Sequence, residues 1–443
     1  VAQRIALAMG RAAALGERAM AAARRQSSVP SGRLDGLAPV AVARQLRQLP
    51  GLVFFDTAGN LPQSASRPVS VIAARPRRVL TGTLGCAAGE ARLRQALAAG
   101  TRAAAGPGVP LGGLCGWVEY EGAFVFGDYP EMLVYDHHAA TWWESGRLSA
   151  ELAGEPAPEA AAVTVGDFIP QTSPAGFMAG VGRIKEWIAA GDIYQVNLTQ
   201  AFTAPVAGGP LFGLYEVLRQ ASPAPMAAWL SLAGREILSS SPETFLKISG
   251  RRIHSHPIKG TRPRFADPAA DQRSARELQT SAKETAELVM ITDLLRNDLG
   301  KVCEFGSVAV AAMLKLETLA QVHHLVSTVT GILRPDCDAV AALAACFPGG
   351  SITGAPKHRA MQIIRELEPV PRGVYCGAIG WLGYNGECAL SIPIRTLVRS
   401  GGQLSYHVGA GIVADSDPRQ EYEETLHKAA GIRLAIERWR AVG

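Results

Sequence analysis

Between residues 374 and 413, short apolar runs are separated by two two-residue turn signals, Asn385-Gly386 and Gly401-Gly402. Strands joined that tightly can pair only antiparallel, so this stretch predicts an antiparallel meander. A second set of strand-like runs fills 226–255 around Trp229, Ile237 and Phe245, and shorter ones fall at 51–55, 69–73, 116–120, 132–135 and 148–152. Helices are predicted at 176–190, 276–298, 356–367 and 418–438, the first opened by Ser173-Pro174 and closed by Gly191. Antiparallel sheets covered by separate helices make an α+β fold.

The chain of 443 residues is long enough for a large core, and 48% hydrophobic against 19% charged residues describes a globular protein rather than a disordered one. No apolar run is long and uninterrupted enough to cross a membrane. The formal charge of +5 does not point to nucleic acid, because Arg4, Arg11, Arg18, Arg24 and Arg25 face Glu17 alone in the first thirty residues. What remains is nearly neutral, whereas a phosphate-tracking protein carries its basic residues on the folded domain. Seven scattered cysteines without a C-x-x-C pair fit reduced thiols in a cytoplasm.

Four segments follow from composition. Residues 1–34 are rich in Ala and Arg and fit a transit peptide, a helical or disordered extension, or an upstream start. Residues 35–150 form a β-rich N-terminal part, 151–170 a Pro/Ala/Glu connector, and 171–443 the part that holds the candidate chemistry.

Glu284 with Glu287, and Glu421 with Glu424, are spaced to lie on one helix face. The first pair shares its stripe with Leu288, Ile291, Leu294 and Leu295, so its carboxylates are predicted to point inward, where they need a cation. Four carboxylates from two helices suit Mg²⁺. Glu424-x-x-His427 does not indicate a di-iron site, since a di-iron bundle needs two such motifs and a helical fold. Gly349-Gly350-Ser351-Ile352-Thr353-Gly354-Ala355-Pro356-Lys357 is no Walker loop, but a helix opening at Pro356 leaves N–H groups and the Ser351 and Thr353 hydroxyls for an anion. Gly409-Ala410-Gly411 offers a second backbone cradle. Arg395 and Lys428 are candidate carboxylate partners, Lys428 being equally placed for a surface pair with Glu424. Cys115, in Gly112-Gly113-Leu114-Cys115-Gly116, is followed by strand-like residues, and the chain has no His-x-Glu, so it reads as a buried apolar side chain rather than a glutaminase nucleophile.

These stretches, with Asp192-Ile193-Tyr194-Gln195-Val196-Asn197, Ser241-Pro242-Glu243, His256-Pro257-Ile258-Lys259-Gly260-Thr261, Arg296-Asn297-Asp298 and His324-Leu325-Val326-Ser327, occur in the order seen in the chorismate-utilising enzymes, which the chain resembles. The resemblance implies two antiparallel sheets packed face to face with helices outside. It implies a Mg²⁺ cluster of Glu284, Glu287, Glu421 and Glu424, and a substrate site containing Tyr375, Arg395, Gly409, Gly411 and Lys428, with Gly260, Thr261, Ser351 and Ala410 beside them. Glu243 matches the acid that protonates the departing 4-hydroxyl of chorismate, and His324 matches a site histidine. Gln195 stands where isochorismate and salicylate synthases have a water-activating lysine, so ammonia is the implied nucleophile. Anthranilate synthases resemble Pro-x-Ala-Gly-Thr at the Lys259 stretch, and the aminodeoxychorismate synthase component I branch Pro-Ile-Lys-Gly-Thr, as here.

That branch implies that Lys259 attacks chorismate and that a separate glutamine amidotransferase chain supplies ammonia. Lowering a lysine pKa from ~10.4 to ~7.5 takes roughly 4 kcal/mol of burial and cationic neighbours. The alternatives are anthranilate synthase component I and a silent chorismate- or tryptophan-binding subunit. A tryptophan pocket is implied in the N-terminal half near Ser66-Arg67, although the Leu-Leu-Glu-Ser signature of feedback-regulated members is absent. Arg296 and Asp298 are expected to fix a helix end.

Overall fold

A computed structural model describes residues 34–57, 68–100, 108–153, 162–318 and 322–442. Two antiparallel sheets, of twelve and ten strands, form the frame. The first runs Gly354–Ala355, Gln195–Ala207, Gln403–Ile412, Thr396–Ser400, Arg235–Ser241, Met226–Leu232, Val53–Asp56, Val69–Ala73, Met132–Asp136 and Thr141–Ser145. The second runs Ile258–Pro263, Val322–Ile332, Arg252–His256, Thr244–Ser249, Cys388–Ser391, Ala378–Gly383, Gly113–Val118, Ala123–Tyr129 and Val79–Thr83, and Ala309–Thr318 also pairs with Val322–Ile332. Each sheet takes strands from both sides of the 151–170 connector. Val53 pairs with Leu230 in one sheet, and Gly116 with Gly380 in the other.

Apolar side chains from both sheets meet in one cluster, Val53, Val71, Val134 and Ile237 from the first against Cys115, Trp117, Ile379 and Trp381 from the second. Burying side chains of this size contributes about 1.5–3 kcal/mol each. Helices Pro39–Leu46, Phe212–Ala221 and Ala430–Val442 cover the outer face of the first sheet. Helices Pro174–Ala189, Ala282–Gly300, Ala339–Cys346 and Lys357–Leu367 pack in a third cluster.

Local chemistry explains the helix ends. Ser173 Oγ accepts from Gly176 N at 3.1 Å, Pro174 opens the helix, and Gly191 follows it at φ +82°. The predicted helix over 276–298 is two helices, Pro268–Thr280 and Ala282–Gly300. Ser281 is extended between them, and its hydroxyl accepts from Glu284 N at 3.3 Å, so it caps a new helix in place of continuing the old one. The predicted helix over 418–438 likewise divides at Ala429.

Two strand predictions are corrected. Residues 148–152 form a 3-10 helix, Leu148–Ala153, in which Ser149 N and Oγ both donate to the Glu144 carboxylate. The predicted meander over 374–413 is two hairpins in different sheets, with the chain crossing between them at 392–395. Both predicted turns hold, with Gly386 at φ +81° and Gly401 at φ +58°.

Candidate active site

The chain passes between the sheets at two places that touch. At Pro242-Glu243 it leaves Arg235–Ser241 for Thr244–Ser249, and at 392–395 it returns from Cys388–Ser391 to Thr396–Ser400. The crossings are tied by Ile392 N donating to Glu243 O (3.1 Å), Ser241 Oγ donating to Ile392 O (2.6 Å), and Ser240 N donating to Arg395 O (3.1 Å). Glu243 and Arg395 are thereby fixed by backbone hydrogen bonds at the seam of the two sheets. Arg395 takes φ +51°, a conformation non-glycine residues adopt rarely and often at functional sites. Its guanidinium has no ion-pair partner among the described residues, and burial lowers its pKa from the usual value.

Glu243 is buried, and burial pushes its carboxyl up to about 7, with the neighbouring Ser351 hydroxyl and Lys259 ammonium opposing the rise. Lys259 lies in Ile258–Pro263, a short strand that resumes the line of Arg252–His256 after Pro257. It pairs with Leu325, and a bulge at Gly260 then brings Thr261 opposite His324. Gly260 has φ +73°, and a Cβ there would stand 2.7 Å from Leu278 Cδ1 and 3.0 Å from Glu284 Oε2. Lys259 Nζ donates to Ser351 O at 3.1 Å and stands 4.0 Å from Glu287 Oε2. A lowered lysine pKa requires burial and cationic neighbours; the structure places the carboxylates Glu287 and Glu243 beside Lys259.

His324 is buried, and burial, then the nearby Arg395, lowers its pKa to about 4. Its Nδ1 lies 2.9 Å from Thr261 Oγ1 and 3.4 Å from Gly260 O, an acceptor only. A neutral ring that donates from Nδ1 leaves Nε2 with a free lone pair, and Nε2 is buried without a partner among the described residues. His323 is occupied elsewhere, 3.0 Å from Asp271.

Gln195 begins Gln195–Ala207, whose neighbour strand brings Gly411 opposite Asn197, Ala410 opposite Leu198 and Gly409 opposite Thr199. A Cβ on Gly411 would lie 2.4 Å from Gln195 Nε2, so a side chain there would displace the Gln195 amide. Gln195 Nε2 donates to Glu287 Oε2 at 3.4 Å, and Oε1 is buried without a partner among the described residues.

The two glutamate pairs lie on helices Ala282–Gly300 and Pro418–Lys428, each placed early in its helix by the caps Ser281 and Asp417, and Lys283 beside the first pair reaches Glu421 of the second. Glu287 and Glu421 are buried; Glu284 and Glu424 are half-buried. Burial raises the Glu287 carboxyl against the pull of Lys259. For Glu424 burial also acts upward, but Lys428, Lys283 and Lys259 together hold it below the usual carboxylate range. Glu421 Oε1 accepts from Ser416 Oγ (2.6 Å) and Lys283 Nζ (3.2 Å), and its Oε2 is buried without a partner among the described residues. Among the described residues no three His, Cys, Asp or Glu side chains converge on one metal point as they stand. The donor set nonetheless fits a hard cation, with carboxylate oxygens from two helices and a buried unpartnered oxygen among them.

Lys428 makes the expected pair with Glu424 at 2.7 Å, and it also donates to Gly409 O at 3.0 Å, a contact the sequence does not predict. Tyr375 is buried, its ring parallel to His407 with centroids 5.3 Å apart, and the following Cys376 N donates to Pro393 O at the second crossing. Ser351 lies by Glu243, but Thr353 does not face a ligand: its hydroxyl donates to Gly349 O at 3.1 Å. Asp298 is buried between Lys301 and Lys357 and fixes the helix end as predicted, while Arg296 makes an exposed pair with Asp293. Cys115 is buried in a strand, where burial raises its thiol.

Two residues escape the sequence reading. Arg372 is buried, paired with Glu368, and donates to Ile352 O (2.8 Å) and Asn197 O (2.6 Å), joining the 349–357 loop to the Gln195 strand. Lys283 is the other, its position visible only as the residue before Glu284 in Ser281-Ala282-Lys283-Glu284. A cavity of about 120 Å³ lined by Phe55, Met226, His254 and Trp381 adjoins the first crossing at Pro242 and Thr244 and the Lys259 strand at Ile258. Ser66-Arg67 and the first 33 residues lie outside the described residues.

The sequence pattern described as chorismate binding enzyme matches residues 77–433, and the chain belongs to that family. It is 50% identical over 277 residues to the aminodeoxychorismate synthase of Streptomyces griseus, an alignment that covers 62% of this chain and 38% of that protein. It is 40% identical over 384 residues to anthranilate synthase component 1 of Streptomyces coelicolor, covering 76% and 75%. Among solved structures, anthranilate synthase component I of Streptococcus pneumoniae superposes with a TM-score of 0.73 at 28% identity, over 91% of this chain and 98% of that one. The chain thus spans well under half of one curated relative and three quarters of another.

Proposed function

We propose that this chain is the chorismate-binding component of an aminodeoxychorismate synthase, converting chorismate and ammonia to 4-amino-4-deoxychorismate and water for para-aminobenzoate and folate synthesis. The observation that carries it is Lys259, which emerges from Pro-Ile-Lys-Gly-Thr beside both Glu243 and Ser351. Ammonia would come from a partner glutamine amidotransferase.

In this route neutral Lys259 Nζ bonds to C2 of chorismate as both ring double bonds shift, to C1=C6 and C4=C5, and the C4–O bond breaks. Glu243, protonated below about pH 7, delivers its proton to the departing hydroxyl, which leaves as water. Lys259 must first lose its ammonium proton to solvent, since Glu287, at 4.0 Å, is committed to the cation in this reading. Ammonia then bonds to C4 and loses a proton, both double bonds shift back, and the C2–N bond breaks with Lys259 regaining a proton. Gln195 has no basic atom with which to activate water, which favours the amine over hydroxide. Arg395 and the backbone of 409–411 are the groups that would receive the substrate carboxylates. Mg²⁺ would be held by Glu284, Glu287, Glu421 and Glu424 and would neutralise a substrate carboxylate.

A second reading, anthranilate synthase component I, is favoured by the longer alignment with the S. coelicolor enzyme. It requires amination at C2 and loss of pyruvate. Chromatography of a reaction with chorismate, an ammonium salt and Mg²⁺ separates the two: 4-amino-4-deoxychorismate supports the first, and fluorescent anthranilate supports the second.

A further inference from the structure

Three lysines attend the four glutamates, and they are held differently. Lys259 Nζ is anchored to Ser351 O at 3.1 Å, and Lys428 Nζ to Gly409 O at 3.0 Å as well as to Glu424. A backbone carbonyl keeps such a lysine in place whatever the charge of the carboxylates. Lys283 Nζ has Glu421 Oε1, at 3.2 Å, as its only hydrogen-bond partner among the described residues. Its side chain is 45% exposed, so rotation about its own stem carries the ammonium into water. The backbone need not move, because Ser281 caps the helix at its first turn.

Glu421 is the complementary half. Its side chain is 3% exposed, one oxygen is satisfied by Ser416 and Lys283, and the other has no partner among the described residues. A buried carboxylate in that condition strongly favours a compensating charge. A divalent cation and an ammonium cannot both sit on it without strong mutual repulsion at low effective dielectric.

We propose that Lys283 is a positioning residue that sets the metal affinity of the glutamate cluster, its ammonium holding Glu421 where a divalent cation binds and leaving for solvent when the ion arrives. This rests on the assignment of Glu284, Glu287, Glu421 and Glu424 to Mg²⁺. The lysine keeps the cluster compact and neutralised between turnovers, and it sets the metal concentration above which the site is loaded.

The test is titration of Mg²⁺ into the whole chain by calorimetry, without chorismate, for the parent, Lys283→Met, Lys283→Gln, Lys283→Arg and Glu421→Gln. Lys283→Met and Lys283→Gln are expected to bind Mg²⁺ about tenfold more tightly, Lys283→Arg to restore affinity to within about twofold of the parent, and Glu421→Gln to lose binding. Circular dichroism confirms folding, and having two neutral variants guards against one that misfolds. Neutral variants that bind as the parent does, or more weakly, with Glu421→Gln still defective, overturn the competition alone. A parent that binds no Mg²⁺ overturns the competition and the metal assignment together.

Discussion

The layer between the sheets and the seam where the chain crosses between them are buried alike, yet burial means opposite things in the two. Between the sheets, Trp117, Trp143 and Trp381 meet apolar side chains, and the unpartnered polar atoms are indole N–H groups, Trp117 Nε1 and Trp143 Nε1. The apolar area of such a ring outweighs one lost hydrogen bond. In and around the seam the unpartnered atoms among the described residues include Gln195 Oε1, His324 Nε2, Ser351 Oγ and Glu421 Oε2, on side chains of types that can bind ligands or exchange protons. Their desolvation is a standing cost that a bound ligand would relieve. A fold of this size can carry that cost because its apolar layer is separate from its reactive seam.

Substitutions on the two sides break this comparison differently. Glu421→Gln is expected to lower ammonia-dependent turnover by roughly 10³-fold or more with the fold intact, since it removes a shared carboxylate without removing volume. A variant with parental turnover, or a parent as active in EDTA as in Mg²⁺, would falsify the metal role. Trp117→Ala acts in the opposite sense: about 3–5 kcal/mol of stability is lost to the cavity, seen as a lower denaturant midpoint, while the folded fraction keeps its turnover number.

The smaller effect is in pH. Glu243 has a folded pKa of about 7, above its unfolded value, so the folded state binds the extra proton between those two pH values. Stability from this group is full below the unfolded pKa and falls as pH rises through about 7, by up to roughly 3 kcal/mol. Glu243→Gln should flatten that decline in a denaturation series from pH 5 to 8.5. In the parent, turnover should fall above about pH 7 as the acid form is lost. A Gln variant whose stability keeps the parental slope would place the buried proton elsewhere.

Much of the frame is legible in sequence where a local group decides the outcome. Ser173-Pro174 caps a helix and Asn385-Gly386 reverses a strand pair whatever surrounds them. The Ser281 break is also written locally, as Ser-x-x-Glu, but the surrounding helical pattern obscures it. The crossing at 392–395 is not readable, because a hairpin looks the same whichever sheet receives it. At the site, the three-residue spacing of the glutamates is sufficient to put each pair on one face of its helix. Which lysine answers which glutamate is a tertiary fact. Lys283 reaches Glu421 across 138 residues, and Lys259 meets Glu287, not the cations that a lowered pKa would require.

Everything proposed for the reaction turns on whether Lys259 becomes covalently bound to the substrate. Mass spectrometry of the peptide containing Lys259 decides this, after incubation of the whole chain with chorismate and Mg²⁺ in the absence of ammonia and acid quenching. The expected result is a mass increase on Lys259 equal to chorismate less water, discharged when ammonium is added. Lys259→Ala is expected to lose most 4-amino product and to gain some C2-amino product. An unmodified peptide in the parent, together with a Lys259→Ala variant that makes 4-amino-4-deoxychorismate at the parental rate, would rule out the covalent route.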